Sequence, residues 1–174
     1  MKIAKIAAAI ALAAAAGSAS AQVYGEVAYH GLNYDERGTD SLSLGALGVA
    51  IGYEAHPNLA VEAMVAIGVQ DDSVTVEGIK VDGELDYSAG LFLKPKFRIT
   101  DGFEVFARLG WAQSEVTVRG PGVSISDDGN DFAYGLGAQF SFNKNVYVTG
   151  SYMNMYDKND VKVDGWSIGL GYKF

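Results

Sequence analysis

Residues 167–174 read SIGLGYKF. With Trp166 included, one face of this stretch carries Trp166, Ile168, Leu170, Tyr172 and Phe174, and the other carries Ser167, Gly169, Gly171 and Lys173. Period-two alternation marks a strand with one apolar face. Here the apolar face runs unbroken into two aromatics, and the opposite face is small or polar. The division suits a strand of a transmembrane β-barrel, which is apolar towards lipid, polar towards the lumen and aromatic at the interfaces. A closing strand of a sandwich shows the same alternation, but terminal residues usually fray rather than carry the last apolar side chain.

The opposite end of the chain carries a targeting signal. Lys2 and Lys5 precede an apolar run from Ile6 to Ala16, and Ala19-Ser20-Ala21 forms an A-x-A motif. This is the layout of a cleavable signal peptide over residues 1–21, with the mature chain starting at Gln22. The run is alanine-dominated and too short for a membrane-spanning helix, and no other stretch is apolar enough for one. Residues 22–174 read as one exported domain. There is no cysteine, so no disulfide framework is expected. Glycine is abundant, at 22 residues, and many glycines fall inside alternating runs. In a narrow barrel an inward glycine leaves room for a larger neighbour.

Eight alternating segments can be laid over residues 23–33, 42–53, 59–69, 85–97, 103–113, 132–142, 146–156 and 163–174. The fourth places Leu85, Tyr87, Ala89, Leu91, Leu93 and Phe97 on its outer face. Across the set, the inner faces receive Glu26, His30, Glu62, Asp86, Lys94, Lys96, Glu104, Arg108 and Lys173, with Phe106 among them. The seventh segment is the least regular, because Met153 and Met155 fall on its inner side. Strands of about ten residues suit a bilayer-spanning barrel, and an even number returns both termini to one side.

The connections alternate in length. His56-Pro57-Asn58, Thr100-Asp101-Gly102 and Asn143-Lys144-Asn145 are short and rich in turn-forming residues. The others span 34–41, 70–84, 114–131 and 157–164, and read as long acidic loops. They hold fifteen acids and five bases, whereas the strands and short turns of the mature chain balance at six of each. All the excess negative charge therefore lies outside the wall, as a membrane requires.

Ser167, Gly169, Tyr172 and Phe174 make a polar-x-Gly-x-x-aromatic-x-aromatic pattern that looks like the C-terminal insertion signal of outer-membrane barrels. Residues 58–62 (NLAVE), 101–110 (DGFEVFARLG), 132–138 (FAYGLGA) and 169–174 (GLGYKF) resemble the small eight-stranded outer-membrane β-barrel family, the OmpA/OmpX-like and "porin family" proteins. The resemblance covers residues 22–174. It implies an all-β, eight-stranded antiparallel up-and-down transmembrane barrel in the Gram-negative outer membrane, with termini in the periplasm. It also implies that the barrel-assembly machinery recognises the C-terminal strand. The family includes anchors, adhesins and weak channels. No periplasmic peptidoglycan-binding domain is expected after Phe174.

Motifs for chemistry mostly fail on their own terms. Gly165-Trp-Ser-Ile-Gly169 matches G-x-S-x-G, but a nucleophile elbow needs a following helix and a downstream histidine, and no histidine follows His56. A lipid-modifying enzyme would need a Ser/His pair, and neither His30 nor His56 has an assigned serine neighbour. Asp127-Asp-Gly-Asn-Asp131 lacks the spacing and terminal glutamate of a calcium loop and reads as turn chemistry. The loop carboxylates should attract Mg²⁺ or Ca²⁺ only diffusely. No basic patch interleaves with aromatics, so nucleic acid is not a partner. No catalytic, cofactor or metal residue is assigned.

The inward charges are expected to pair into a polar plug, because eight strands enclose little beyond their own side chains. The function that follows is a monomeric structural or surface protein, an anchor or adhesin, presenting four acidic extracellular loops to some external ligand or surface and seated among outer-membrane lipids and lipopolysaccharide. A narrow porin-like ion channel is the alternative, and a lipid-modifying enzyme a second.

Overall fold

The computed structural model describes residues 22–36, 42–70, 72–76, 79–120, 123–158 and 161–174. The signal-peptide reading of residues 1–21 lies outside them. The described residues form nine strands: β1 (Val23–Glu36), β2 (Leu42–His56), β3 (Leu59–Gln70), β4 (Asp72–Val76), β5 (Ile79–Arg98), β6 (Phe103–Gly120), β7 (Val123–Ser141), β8 (Val146–Lys158) and β9 (Val161–Lys173). Their order is β3-β2-β1-β9-β8-β7-β6-β5-β4, and β3 also pairs with β5. That pairing closes an eight-stranded antiparallel barrel, with β4 as a short hairpin arm on β5.

The alternation read from the sequence is the alternation of the wall. Trp166, Ile168, Leu170 and Tyr172 are exposed on β9, and Ser167, Gly169 and Gly171 are buried. Leu91 and Leu136 are 64% and 72% exposed. A water-soluble sheet would not leave such residues uncovered, and a lipid-facing one must. Two inward glycines carry rings. A Cβ at Gly171 would stand 2.0 Å from Cζ of Tyr147, and one at Gly52 would stand 2.0 Å from Cζ of Tyr24. The two tyrosine rings then meet edge to face at 6.1 Å. Any larger residue at either glycine would displace a ring that fills the lumen.

The short connections are turns, as expected. Asn143 Oδ1 accepts from the N–H groups of Asn145 and Val146, both at 2.8 Å. His56 Nδ1 accepts from Asn58 N–H at 3.2 Å.

Three expectations are corrected. Residues 79–84 and most of 114–131 are paired strand rather than loop. The β6–β7 ladder runs on to Gly120↔Val123, and Asp127, Asp128 and Asp131 lie opposite Val116, Glu115 and Ala112. Short alternations at residues 116–119 (VTVR) and 123–126 (VSIS) accompany this pairing, set among the acids and glycines that read as loop. Leu85 does not share the face of Tyr87: a register shift between them turns Leu85 into the core while Tyr87 stays exposed. One inserted residue reverses facing because the side-chain period is two. Asp164, assigned to a loop, lies in β9, buried and paired with Lys162.

Candidate functional site: a filled lumen and projecting hairpins

The lumen has two tiers. Towards the short turns it is charged. Inward parity brings Glu26 from β1, Glu62 from β3, Lys94 from β5 and Arg108 from β6 together, all buried. Glu62 Oε1 accepts from Lys94 Nζ and from the Tyr24 hydroxyl, each at 2.8 Å, and its Oε2 accepts from Arg108 Nε at 2.6 Å. Arg108 also donates to Glu26 Oε1 at 3.2 Å and to Ser151 Oγ at 3.3 Å. Lys94 Nζ lies 4.4 Å from the centre of the Phe106 ring and 5.0 Å from that of Tyr24. Charge-assisted bonds and ring faces thus replace the water these groups lose.

Nearer the mouth, Glu54 takes Lys96 at 2.5 Å and Lys173 at 3.2 Å. Glu104 lies 3.9 Å from Lys96 and 3.7 Å from Arg98, whose side chain is 62% exposed. The expected inward charges therefore converge, except Asp86. It sits at the β5 irregularity and accepts from Thr117 at 2.5 Å, apart from the network. Glu54 and the hydroxyls of Tyr24 and Ser151 were missed. Glu54 shares its parity with inward Gly52, which could have found it.

Towards the long connections the lumen is apolar, which the expectation of a polar plug did not include. Leu32, Leu44, Met64, Leu85, Phe92, Met153 and Met155 pack with five alanines into one buried cluster. The methionines that made the seventh segment irregular are its plug.

The register corrects one further point. His30 lies opposite Ser167, so the histidine does have a serine neighbour. The pair is not assembled for catalysis. Ser167 Oγ is hydrogen-bonded to Ser151 Oγ at 2.7 Å, and His30 Nε2 has no hydrogen-bond partner among the described residues. Ser167 also sits in mid-strand, without the helix that an elbow requires. Among the described residues no group of three or more His, Cys, Asp or Glu side chains could hold a metal ion.

Outside the wall, β5, β6 and β7 extend beyond the barrel as one ladder. Pairing of β5 with β6 continues to Asp82↔Arg119. Pairing of β7 with β8 ends at Tyr134↔Asn154, so residues 123–133 of β7 pair with β6 alone among the described strands. The Phe132 N–H, just beyond that point, is met by Asp131 Oδ1 at 2.7 Å.

A closed eight-stranded barrel with a lipid-facing apolar belt, a filled lumen and paired strands projecting from one end defines a class, that of small bilayer-spanning barrels. The chain belongs to the family described as "Outer membrane protein beta-barrel domain", whose model matches residues 4–174. It is a protein of the Gram-negative outer membrane. Among curated relatives it is similar to an attachment invasion locus protein of Yersinia enterocolitica, 36% identical over 93 residues, covering 53% of this chain and 51% of the relative. It is also similar to the virulence membrane protein PagC of Salmonella typhimurium, 29% identical over 111 residues, covering 59% and 60%. The chain thus spans little more than half the length of the curated relatives it matches. Among solved structures, Ail, the attachment invasion locus protein of Yersinia pestis, superposes with a TM-score of 0.66 over 88% of this chain and 98% of that one, at 23% identity. The same protein has been crystallised with the heparin analogue sucrose octasulfate.

Proposed function

We propose that this protein is a surface-interaction barrel, monomeric, exported by removal of residues 1–21 and inserted through recognition of β9 by the barrel-assembly machinery. Its termini and short turns face the periplasm. Its wall contacts outer-membrane lipids, and its long connections reach past the lipopolysaccharide. The observation that carries the reading is the extension of β5–β7 beyond the wall as a paired ladder, above a lumen sealed by ion pairs and an apolar cluster. A strand edge outside the membrane can take up an extended partner chain. The attachment and virulence names of the relatives agree with a role at the surface. With Asp164 counted in β9, the long connections and projecting strands carry fourteen acids to five bases. A cationic or hydroxyl-bearing surface therefore suits them better than the polysulfated ligand bound to the Yersinia pestis protein.

The test replaces residues 114–129 with Asn-Gly, closing Gln113 against Asn130 in a two-residue turn. Bacteria displaying the shortened barrel should lose adhesion to epithelial cells while keeping heat-modifiable gel mobility. Unchanged adhesion would reject the ladder as the binding surface. In planar bilayers the wild-type protein should show no stepwise conductance, and regular steps would instead support the ion-channel reading.

A further inference from the structure

The export reading places a glutamine at the start of the mature chain, and the fold holds that glutamine in a particular way. Gln22 main-chain O accepts from Glu54 N–H at 2.7 Å. Its side-chain Oε1 accepts from the Tyr53 hydroxyl at 2.8 Å. Both partners lie at the short-turn end of β2, and Tyr53 is half exposed.

We propose that Gln22 is a modification site: once the leader is removed, it closes to an N-terminal lactam (pyroglutamate), with the Tyr53 hydroxyl as the oxyanion donor. The proposal rests on cleavage after Ala21. Before cleavage the Gln22 nitrogen is an amide and cannot attack. Afterwards it is an amine on the same residue as the carboxamide, so attack is intramolecular and closes a five-membered ring. The neutral amine attacks Cδ, forming the Nα–Cδ bond. Negative charge gathers on Oε1, where the Tyr53 O–H already donates. The Cδ–Nε2 bond then breaks, the amine's proton passes to the leaving nitrogen, and ammonia departs. No oxidant or cofactor is needed.

The product retains both acceptor oxygens. The main-chain carbonyl facing Glu54 is untouched, and the lactam oxygen is the former Oε1 facing Tyr53. One positive charge is removed from the rim, where Lys96 and Lys173 already share Glu54. The blocked terminus also offers aminopeptidases no free amine.

The intact mass of protein extracted from outer membranes tests this directly. The expected value is that of residues 22–174 less one ammonia, and Gln22→Asn, which would have to close a strained four-membered ring, should keep its full mass. In freshly cleaved material, followed by mass during ageing, Tyr53→Phe should slow ring closure by about fivefold. That is well short of the ~10²-fold lost with a buried oxyanion donor, because Tyr53 meets solvent. A mature chain starting elsewhere would overturn the cleavage reading and this proposal with it. A chain starting at Gln22 that retains its ammonia after ageing would overturn the lactam alone. Equal closure rates for wild type, Tyr53→Phe and a free peptide of residues 22–31 would remove Tyr53 from the chemistry.

Discussion

One part of the lumen, the lower tier, is filled by ion pairs, and another, the upper tier, by methionine, leucine and phenylalanine. The cylinder is the same in both places, and the same eight strands supply the residues. In the lower tier Glu62 has both oxygens engaged by buried cations, and each bond ties one strand to another. In the upper tier the cluster itself is not directional, and its space is filled by flexible or branched side chains that adapt to it. A buried pair is demanding because each member depends on the other. An apolar cluster loses only the volume removed. The two tiers should therefore respond to damage very differently.

The largest effect should come from Glu62→Leu, which strands Lys94 and Arg108 without their shared carboxylate. Urea unfolding in detergent or lipid should register a loss of about 3–5 kcal/mol. A loss comparable to a methyl deletion would show that water reaches the lower tier freely. Leu136→Arg tests the outer side of the same wall, where a cation has no partner at all. Near the bilayer midplane it should lose about 2–4 kcal/mol in lipid vesicles. Wild-type stability there would mean that this face does not meet lipid. In the upper tier Met153→Ala should lose about 2 kcal/mol, at the low end for such truncations, since Met155 can shift into the space. If it matched Glu62→Leu, the contrast between the tiers would collapse.

The smallest effect separates two tyrosines that touch. Tyr24 donates to Glu62, whereas the buried Tyr147 hydroxyl has no hydrogen-bond partner among the described residues. Tyr24→Phe should lose about 1–3 kcal/mol, because the bond is to a charged acceptor. Tyr147→Phe should change stability by less than about 1 kcal/mol, and in the stabilising direction. Equal losses would give Tyr147 a partner that its surroundings do not supply.

The wall was legible because lipid and lumen impose a period of two on the bilayer-spanning strands, as in the alternation of Trp166, Ile168, Leu170 and Tyr172 with Ser167, Gly169 and Gly171. The charged tier was legible too, since Lys94 and Arg108 have no stable place on a lipid face. Leu85 was misplaced because the β5 irregularity leaves no mark in composition. The apolar tier went unseen because inward methionines and leucines read as defects in an alternation rather than as a plug. The extension of β5–β7 was passed over although it alternates: residues 79–82 read IKVD, 116–119 VTVR and 123–126 VSIS, but these runs are short and set among acids and glycines that read as loop.

The bonds of the charged tier also bear on the order of assembly. Arg108 and Glu26 are 82 residues apart, Arg108 and Glu62 are 46, and Lys94 and Glu62 are 32. Lys94 and Glu62 lie on directly paired strands, β3 and β5, and can meet early. Arg108 on β6 pairs directly with neither β3 nor β1, so a half-built sheet would present its guanidinium bare, and only the curled, nearly complete sheet brings it to both glutamates. Such long-range contacts slow folding, but they also make partial structures costly. The network thus acts as a proofreading step in the birth of the barrel, and its dissolution in denaturant should be all-or-none for the same reason.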